Sequence, residues 1–464
     1  MDNHSELSQP ERCPIAIIGG GFSGILVAIH LLRIATEPLL IKLIESHAEL
    51  GRGVAYHEKL LDCHLLNVPA GKMGAFPGLP GDFLEWLHQN GYTTAMATSF
   101  MPRRIYGDYI QDIFQAALIE AVPGVRLEYI NDRALKIATE SDQVNIFLEH
   151  GRHIQTEKVV LAWGNFPPAV PQVIGQMKNY ENYVVSGWSV EAIAHISWAE
   201  SLLIVGTGLT MVDAVVTLTE NNFQGKIYAI SRHGLIPQRH AVSTAHHQFI
   251  EPQKAPRHIS HLFKTVRQEV SKADYHGADW RGVVDVLRPV TSLLWQELPL
   301  VERQRFLRHL GAYWEIHRHR IAPEIANILD EMLLSGQLQI VPGRIQKTEV
   351  LGDQVNVTVK ERRSHKELTL LVDRIINCTG SNCHYQDLEN PLINDLIKQG
   401  LIAIHPTGIC INTASNGAIL NSDGQASQQL YTLGTPRKGD LWESTAVPEI
   451  RVQAHQLAIE LLAS

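Results

Sequence analysis

Three glycines near the N-terminus have the spacing G-x-G-x-x-G: Gly19, Gly21 and Gly24. They follow the apolar run PIAII and precede the apolar run ILVAIHLLRIA, the order expected for a strand, a turn and a helix. In such a turn the second glycine lets the backbone approach a pyrophosphate, and the third lets helix and strand pack closely. Glu45 ends the next apolar run about twenty residues later, where a ribose needs a hydrogen-bond acceptor. The segment predicts a dinucleotide site at a helix N-terminus.

A second turn of this kind occurs in GTGLTMVD, where Gly206 and Gly208 keep the first two glycines and Thr210 follows them. Met211 occupies the third glycine position, so we expect this helix to stand slightly further from its strand. The turn again follows an apolar run, SLLIV, and precedes an apolar helix. We therefore predict a second nucleotide site, with Gly206, Gly208 and Thr210 as binding residues.

The strand after the second turn ends in SRHG, which places Ser231 and Arg232 where the first unit has an acid. A carboxylate would repel a 2′-phosphate, whereas a hydroxyl and a guanidinium would bind one. The sequence therefore favours NADPH over NADH at this site. The alternative is that Arg232 is an ordinary solvent-exposed arginine.

The chain has 464 residues, enough for roughly two to three domains, and contains one long repeat. Each copy continues into a predicted three-stranded meander and a buried strand that ends in glycine, at Gly164 and Gly380, which we include among the binding residues. The repeat predicts an α/β fold with two Rossmann-like dinucleotide-binding domains, β-meanders and a helical insertion. The predicted ranges are 1–195 for the first part of domain one, 196–380 for domain two with the insertion at about 240–334, and 381–464 for the rest of domain one.

Composition narrows the possible partners. The chain carries 40 basic and 48 acidic residues, a net charge of −8, which gives no electrostatic reason to expect nucleic acid. It has no apolar run of about 18 residues and no basic-then-apolar start, so we expect neither a membrane partner nor a signal peptide. Five cysteines, which form neither a dense even framework nor paired zinc knuckles, favour a reduced, cytoplasmic setting. The expected partner is a small-molecule substrate. Oligomeric state and substrate identity stay open.

Seven segments of the chain form a recognisable set: GRGVAYHEKLLDCHLLNVPAGKMGAFPGLPGDFLEWL, RRIYGDY, GTGLTMVD, SRHGLIP, RHRIAPE, INCTG and WESTAVPEIR. Together they resemble the bacterial FAD-NAD(P)-binding proteins, relatives of the lysine and ornithine N-hydroxylating monooxygenases. The resemblance extends from about residue 14 to 460. The resemblance implies that the first domain holds FAD and the second NAD(P)H.

The resemblance also implies individual roles. Arg52 is a candidate pyrophosphate or flavin contact, and Asn67 a candidate hydrogen-bonding partner of the flavin edge, with an Asx-turn before Pro69 as the alternative for Asn67. At the C-terminus a strand leads to Gly434, and a helix begins near Val447 and Pro448. Such a helix would aim its N-terminus at the flavin pyrimidine, where its dipole would stabilise negative charge.

The helical insertion holds several histidines, including His240, His246, His247 and His317, and the cluster Arg318, His319 and Arg320. No H-E-x-x-H or C-x-x-C pattern accompanies the histidines, so we predict no metal site. We interpret the cluster as a helix end whose side chains cap carbonyls or pair with Glu324. The alternative is a site for an anionic substrate or the nicotinamide nucleotide.

Cys378 and Cys383 form a C-x4-C pair that would suit a disulfide reductase. Cys378 lies at a predicted strand end, however, and buried cysteines outside disulfides usually act as small apolar residues. We therefore favour a structural role for both.

The expected reaction follows from the resemblance. NAD(P)H would reduce the flavin, and O2 activation would then hydroxylate a small amine-like nucleophile. The F-x-G-x-x-x-H pattern common in class B monooxygenases is missing from NYVVSGWSVEAIAHIS. One alternative is a flavoprotein reductase or dehydrogenase without oxygen activation. Another is a flavin-binding regulatory protein, favoured by Met211. No catalytic side chain is assigned.

Overall fold

Fifteen strands lie in the part of the chain that the computed structural model describes, which is residues 11–177, 180, 183–184, 186–194, 196 and 200–463. In chain order they are β1 (Glu11–Ile18), β2 (Leu39–Glu45), β3 (Val125–Asn131), β4 (Ala134–Thr139), β5 (Val144–Leu148), β6 (His153–Leu161), β7 (Tyr183–Val184), β8 (Ser201–Val205), β9 (Lys226–Ser231), β10 (Leu338–Leu351), β11 (Gln354–Glu361), β12 (Glu367–Val372), β13 (Arg374–Asn377), β14 (Ala418–Leu420) and β15 (Ala426–Thr432).

The same residues form fourteen α-helices. They are α1 (Phe22–Ile34), α2 (Asp82–Gln89), α3 (Arg103–Glu120), α4 (Val190–Ala194), α5 (Leu209–Glu220), α6 (Ile259–Tyr275), α7 (Trp280–Leu287), α8 (Thr291–Glu297), α9 (Leu300–His309), α10 (Gly311–Arg318), α11 (Pro323–Leu334), α12 (Pro391–Lys398), α13 (Lys438–Leu441) and α14 (Val447–Leu462). None of the helices in these residues is long and apolar enough to cross a membrane.

The first sheet has eight strands. Six follow the order β14-β15-β6-β1-β2-β3, and β5 and β4 extend from β6 as an antiparallel meander. Strands β15, β6, β1, β2 and β3 are mutually parallel. Helix α1 packs against α3 and α14, and ten of its 13 residues are buried. A helix that is apolar nearly all round is stable only inside a core, so α1 is fixed in position at its strand.

The second sheet has seven strands in the order β12-β11-β10-β9-β8-β13-β7. Strands β10, β9, β8, β13 and β7 are parallel, and β10, β11 and β12 form the antiparallel meander. The inner strands contribute a continuous apolar core, because parallel strands are normally covered on both faces. The predicted α/β class with two Rossmann-like sheets and two meanders is confirmed.

Two compact units divide the chain, and the division differs from the predicted ranges. The segment from Phe166 onward, predicted to lie in the first domain up to residue 195, falls in the second unit, because β7 pairs with β13. Residue 195 itself lies outside the described residues, as do residues 182, 185 and 197 of the segment compared with F-x-G-x-x-x-H. The short segment Lys59–Asn67 also falls in the second unit. The first unit comprises the described residues up to Glu58, together with Val68–Asn165 and those from Cys383 onward.

The helical insertion lies between β9 and β10 and contains α6 to α11. The insertion, predicted at about 240–334, begins without α-helix, and its first α-helix starts at Ile259. Ile250, Leu287 and Leu294 form a small buried apolar cluster there. The insertion therefore has an apolar core of its own beside the nucleotide-binding strands.

Candidate cofactor sites

The first glycine turn is shaped by two close backbone approaches. Gly19 has φ +106°, and a β-carbon on it would lie 2.3 Å from the carbonyl oxygen of Ala162, at the end of β6. A β-carbon on Gly24 would lie 1.9 Å from the carbonyl oxygen of Gly19. Only glycine satisfies either position, as the spacing predicts.

Gly21 is the N-cap of α1, and no side chain caps this helix. A β-carbon on Gly21 would find only the α-carbon of Gly53 within 4 Å, at 3.5 Å. Apart from its chain neighbours, no side-chain atom of the described residues lies within 4 Å of that position, while the first-turn N–H groups attract negative charge. This open cradle fits a pyrophosphate, and Gly53 is a contributor that the spacing did not single out.

Glu45 ends β2 and faces the glycine turn. Its Oε2 accepts a hydrogen bond from the N–H of Gly20 at 2.8 Å, and its Oε1 accepts one from the N–H of His47 at 2.9 Å. Burial alone would raise the pKa of Glu45, but these hydrogen bonds outweigh it and hold the pKa below its ordinary value. The carboxylate is thus an ionised acceptor beside the cradle, which fits the predicted ribose contact.

Arg52 is engaged within the first unit, and its predicted contact with a pyrophosphate or flavin stays a prediction. The residue is only 6% exposed, and its guanidinium binds α3, with Nη2 donating to Asp108 Oδ1 at 2.5 Å and to Gln111 Oε1 at 3.0 Å. Nη1 donates to the carbonyl oxygen of Arg104 at 3.1 Å. The side chain therefore fastens the loop that carries Gly53, and its charge is largely neutralised by Asp108.

Strand β15 and helix α14 belong to the same unit, and β15 pairs with the end of β6. Gly434 has φ +75°, and its N–H donates to Gln453 Oε1 of α14 at 3.0 Å. Helix α14 begins at Val447, has Pro448 in its first turn and lacks a side-chain cap. Gly164 has φ +65°, and a β-carbon on it would have no atom within 4 Å among the described residues. These positions leave an uncapped helix N-terminus and an open glycine, as a flavin site would need.

The second glycine turn repeats the first closely. Gly206 has φ +108°, and a β-carbon there would lie 2.2 Å from the carbonyl oxygen of Cys378, which follows β13. Gly208 is the uncapped N-cap of α5, and none of the described residues lies within 4 Å of its β-carbon position. Met211 is completely buried at the third position. A second open cradle therefore exists at the N-terminus of α5.

Ser231 and Arg232 lie at the end of β9, but they differ in how free their side chains are to bind a ligand. Ser231 Oγ accepts a hydrogen bond from the N–H of Gly234 at 2.9 Å and lies 2.8 Å from Thr207 Oγ1, so its hydroxyl already closes the turn. Arg232, by contrast, is exposed to solvent. The guanidinium of Arg232 is thus the better placed of the two to meet a phosphate.

Two further arginines, Arg344 and Arg362 of the meander, contribute positive charge at the end of β9. Burial lowers the pKa of His233, and the positive charges of Arg362, Arg232 and Arg344 lower it further. Arg362 Nη1 also donates to the carbonyl oxygen of Arg232 at 3.5 Å. Sequence reasoning missed Arg344 and Arg362, because they lie more than a hundred residues away on β10 and directly after β11.

The other predicted residues of the second unit lie near these elements. Thr210 is in the first turn of α5, and its Cγ2 would lie 2.9 Å from a β-carbon on Gly187. Gly380 follows β13 with φ +88°, and a β-carbon on it would have no atom within 4 Å among the described residues other than its chain neighbours. The carbonyl oxygen of Asn67 accepts a hydrogen bond from His240 Nε2 at 2.9 Å. The role of the Asn67 side chain at a flavin stays a prediction.

Cys378 is a buried residue rather than half of a dithiol. A β-carbon on Gly187 would lie 2.4 Å from its Sγ, and burial raises the pKa of its thiol far above the ordinary value. Cys383 belongs to the other unit, where its carbonyl oxygen accepts a hydrogen bond from the N–H of Cys410 at 2.6 Å. A thiol this strongly protonated is a poor nucleophile, in line with the structural role predicted for Cys378.

The basic cluster of the insertion is mostly engaged within the protein. Arg318 and Arg320 are buried, and Arg320 Nη2 donates to Asp285 Oδ1. His319 Nε2 lies 3.2 Å from Glu315 Oε2. The predicted pairing with Glu324 is therefore wrong for Arg320, because α7 brings Asp285 next to it.

One aromatic donor was not predicted. The indole Nε1 of Trp163, directly before Gly164, is buried and has no hydrogen-bond partner among the described residues. Its ring lies 5.9 Å from the ring of Tyr385, centroid to centroid. A buried indole N–H normally has an acceptor, so Trp163 is a further candidate cofactor contact.

The fold is that of the two-dinucleotide-binding-domain flavoproteins. It is similar to ornithine hydroxylase from Pseudomonas aeruginosa, with TM-score 0.66 and 15% identity over 97% of this chain and 99% of that one. L-lysine 6-monooxygenase from Pseudomonas syringae gives the same TM-score of 0.66, identity of 15% and coverages of 97% and 99%. Bacillithiol disulfide reductase from Staphylococcus aureus gives 0.55 at 12% identity, over 98% of this chain and 99% of that one.

Residues 16–166 match the family model described as FAD-NAD(P)-binding. Comparison with curated proteins found no match. The family match over residues 16–166, the two glycine cradles and the fold together indicate an FAD- and NAD(P)-binding oxidoreductase. In the first unit Gly19, Gly21, Gly24 and Glu45 would hold the FAD pyrophosphate and ribose.

Proposed function

We propose that this protein uses NADPH to reduce bound FAD and then activates O2 to hydroxylate a small amine-like substrate. The observation that carries the NADPH assignment is the positive charge at the end of β9. Arg232 is exposed there, Arg362 donates to its carbonyl oxygen at 3.5 Å, and the charges of Arg362, Arg232 and Arg344 lower the pKa of His233. A 2′-phosphate dianion would be strongly favoured beside several guanidinium groups, whereas the 2′-hydroxyl of NADH would gain little.

The chain's own residues do the positioning. The open cradle at Gly208 would receive the nicotinamide dinucleotide pyrophosphate, and that at Gly21 the FAD pyrophosphate. Helix α14 begins at Val447, and its dipole would favour negative charge next to this N-terminus. When bound, the flavin supplies hydride acceptance and reaction with O2, while the protein supplies orientation and electrostatics.

Support for the oxygenase step comes from fold likeness and from the motif resemblance. The structural likeness to the ornithine and lysine hydroxylases, at TM-score 0.66, exceeds that to the disulfide reductase, at 0.55. At 15% identity this likeness concerns the fold alone, so the amine class of substrate is an inference by analogy. Ornithine, lysine and cadaverine are therefore sensible first members of a substrate panel.

The test uses the purified FAD-loaded protein. We expect NADPH to bleach the flavin without oxygen, and a member of the amine panel to yield a hydroxylamine in proportion to NADPH oxidised under air. Arg232→Gln should raise the KM for NADPH while leaving that for NADH unchanged, and Arg126→Gln, on the exposed face of β3, is the matched control. Equal use of NADPH and NADH by the unaltered protein would overturn the cofactor assignment.

The second candidate is an NAD(P)H-dependent reductase that does not activate oxygen. The missing F-x-G-x-x-x-H pattern favours it, and the likeness to a disulfide reductase is compatible with it. In that case NADPH bleaches the flavin, no amine yields a hydroxylamine, and an electron acceptor other than O2 restores the oxidised flavin. Because Cys378 is buried against Gly187, such a reductase would not pass electrons through this thiol.

A further inference from the structure

Two histidines and a glutamate meet inside the helical insertion. His246 and His247 precede α6, and Glu269 lies in the third turn of that helix. His246 Nε2 is 3.1 Å from Glu269 Oε1, and His247 Nε2 is 3.5 Å from the same oxygen. One ligand atom from each of the three residues can be chosen so that all three atoms lie within 4.8 Å of one another.

These separations match a small tetrahedral site. With metal–nitrogen and metal–oxygen bonds of about 2.1 Å, tetrahedral geometry places neighbouring ligand atoms roughly 3.4 Å apart. The two observed nitrogen-to-oxygen distances, 3.1 and 3.5 Å, lie on either side of that value. The three ligand atoms would therefore need only small side-chain movements to surround an ion.

The glutamate is already prepared to act as a ligand. Its side chain is 8% exposed, and Lys272 Nζ lies 3.1 Å from its other oxygen, Oε2. Lys272 thus holds one carboxylate oxygen, and the other, Oε1, faces the two imidazoles. Carboxylates that bind metals usually have such a second hydrogen-bonding partner.

We propose that His246, His247 and Glu269 form a binding site for one divalent transition-metal ion of the zinc type. Two imidazoles and one carboxylate are a ligand set that suits Zn²⁺, with a water molecule completing the tetrahedron. The His247 side chain is 71% exposed, so the ion can enter from solvent. This inference goes beyond the proposed redox function and does not depend on it.

The site would link the irregular start of the insertion to α6. The loop also contacts α7, because a β-carbon on Gly282 would lie 2.4 Å from the carbonyl oxygen of Thr244 and 3.5 Å from the β-carbon of His246. A bound ion would therefore brace the part of the insertion that lacks regular helix. Its sequence signal is weak, since the histidines and the glutamate are more than twenty residues apart and form no H-E-x-x-H pattern.

The experiment uses the full FAD-loaded chain after treatment with a chelator. Zn²⁺ affinity is measured by competition with a chromophoric chelator, for the unaltered protein and for His247→Ala and Glu269→Gln. His276→Ala, an exposed histidine next to the end of the same helix, is the matched control. We expect one ion per chain, an affinity at least about 10-fold weaker in His247→Ala and Glu269→Gln, and no change in His276→Ala.

Co²⁺ provides a second readout that separates this site from the cysteine thiols. A nitrogen and oxygen ligand set gives the visible bands of four-coordinate cobalt without the near-ultraviolet charge-transfer band of a thiolate. Equal Zn²⁺ affinity in the unaltered protein and His247→Ala, or a thiolate band that neither variant removes, would overturn the proposal. Because His247 is largely exposed, His247→Ala is expected to fold even if Glu269→Gln does not.

Discussion

Gly24 and Gly19 are in direct backbone contact: a β-carbon on Gly24 would lie 1.9 Å from the carbonyl oxygen of Gly19. This distance is far below any van der Waals contact, and a carbonyl oxygen cannot move away without displacing β1 or α1. In contrast, a β-carbon on Gly21 would meet only the α-carbon of Gly53, at 3.5 Å. The two glycines therefore serve different purposes, Gly24 in packing and Gly21 in leaving space for a ligand.

Gly24→Ala and Gly21→Ala should separate these purposes. We expect Gly24→Ala to lower the free energy of unfolding of the FAD-free protein by about 2 kcal/mol or more, because the added methyl overpacks the core. Gly21→Ala should leave that free energy nearly unchanged and reduce the amount of FAD that copurifies, because its methyl enters the cradle. Denaturant unfolding and flavin absorbance measure the two effects.

The control is Gly81→Ala, at the N-cap of α2, where none of the described residues lies within 4 Å of a β-carbon. Gly81→Ala should change the free energy of unfolding by less than about 1 kcal/mol and leave the FAD content unchanged. Full FAD retention in Gly21→Ala would contradict the assignment of the first cradle.

Gly208→Ala tests the second cradle in the same way. Its β-carbon would meet no atom of the described residues within 4 Å, so we expect an unchanged melting temperature and full FAD content. The methyl would occupy the space of the dinucleotide pyrophosphate, so the KM for NADPH should rise by about 10-fold or more, the cost of losing on the order of 1.4 kcal/mol. Steady-state reduction of an artificial electron acceptor gives this number, and an unchanged KM would place the nicotinamide nucleotide elsewhere.

His233 should report on the 2′-phosphate. Burial and the charges of Arg362, Arg232 and Arg344 hold its pKa below the ordinary value in the free protein. A bound phosphate dianion adds negative charge, so 2′,5′-ADP should raise the pKa of His233, whereas 5′-AMP, which lacks the 2′-phosphate, should not. The affinity for 2′,5′-ADP should accordingly increase as pH falls through the range between the two pKa values.

Proton NMR titration of the His233 ring measures this shift, with His233→Asn to assign its signal. Arg362→Gln should raise the pKa of His233 in the free protein, because it removes one of the repelling charges. The same titration curve with both nucleotides would contradict phosphate binding near this residue.

His30 makes the stability of the first unit depend on pH. Burial, and then the charge of His455, lowers the pKa of His30 from 6.5 to about 4. Between these values only the unfolded chain takes up the proton, so the free energy of unfolding should fall as pH drops from 6.5 to 4, by roughly 3 kcal/mol. Above pH 6.5 this group contributes no pH dependence.

His30→Phe removes the titrating group and keeps a ring against Phe76, whose centroid is 5.8 Å away. The melting temperature of His30→Phe relative to the unaltered protein should therefore rise steadily as pH is lowered from 6.5 to 4. A difference that stays constant across this range would show that His30 is not buried in its neutral form.

The sequence by itself determined the two glycine turns and the elements around them. A strand, a φ of +106° at Gly19 or +108° at Gly206, and an apolar helix are local features, because backbone conformation and apolar periodicity depend on neighbouring residues. Glu45 follows from the same local order, since the strand after the helix must end beside the turn. The α/β class and the two meanders could therefore be predicted from the order of residues alone.

The tertiary structure alone decided what the long charged side chains do. Arg52 binds Asp108 of α3, and Arg320 pairs with Asp285 instead of Glu324. Arg344 and Arg362 reach the surroundings of Arg232, and Glu269 reaches His246 and His247. The physical reason is that a charge pairs with the nearest group in space, and neighbours in space that are distant in the chain leave no periodic trace in the sequence.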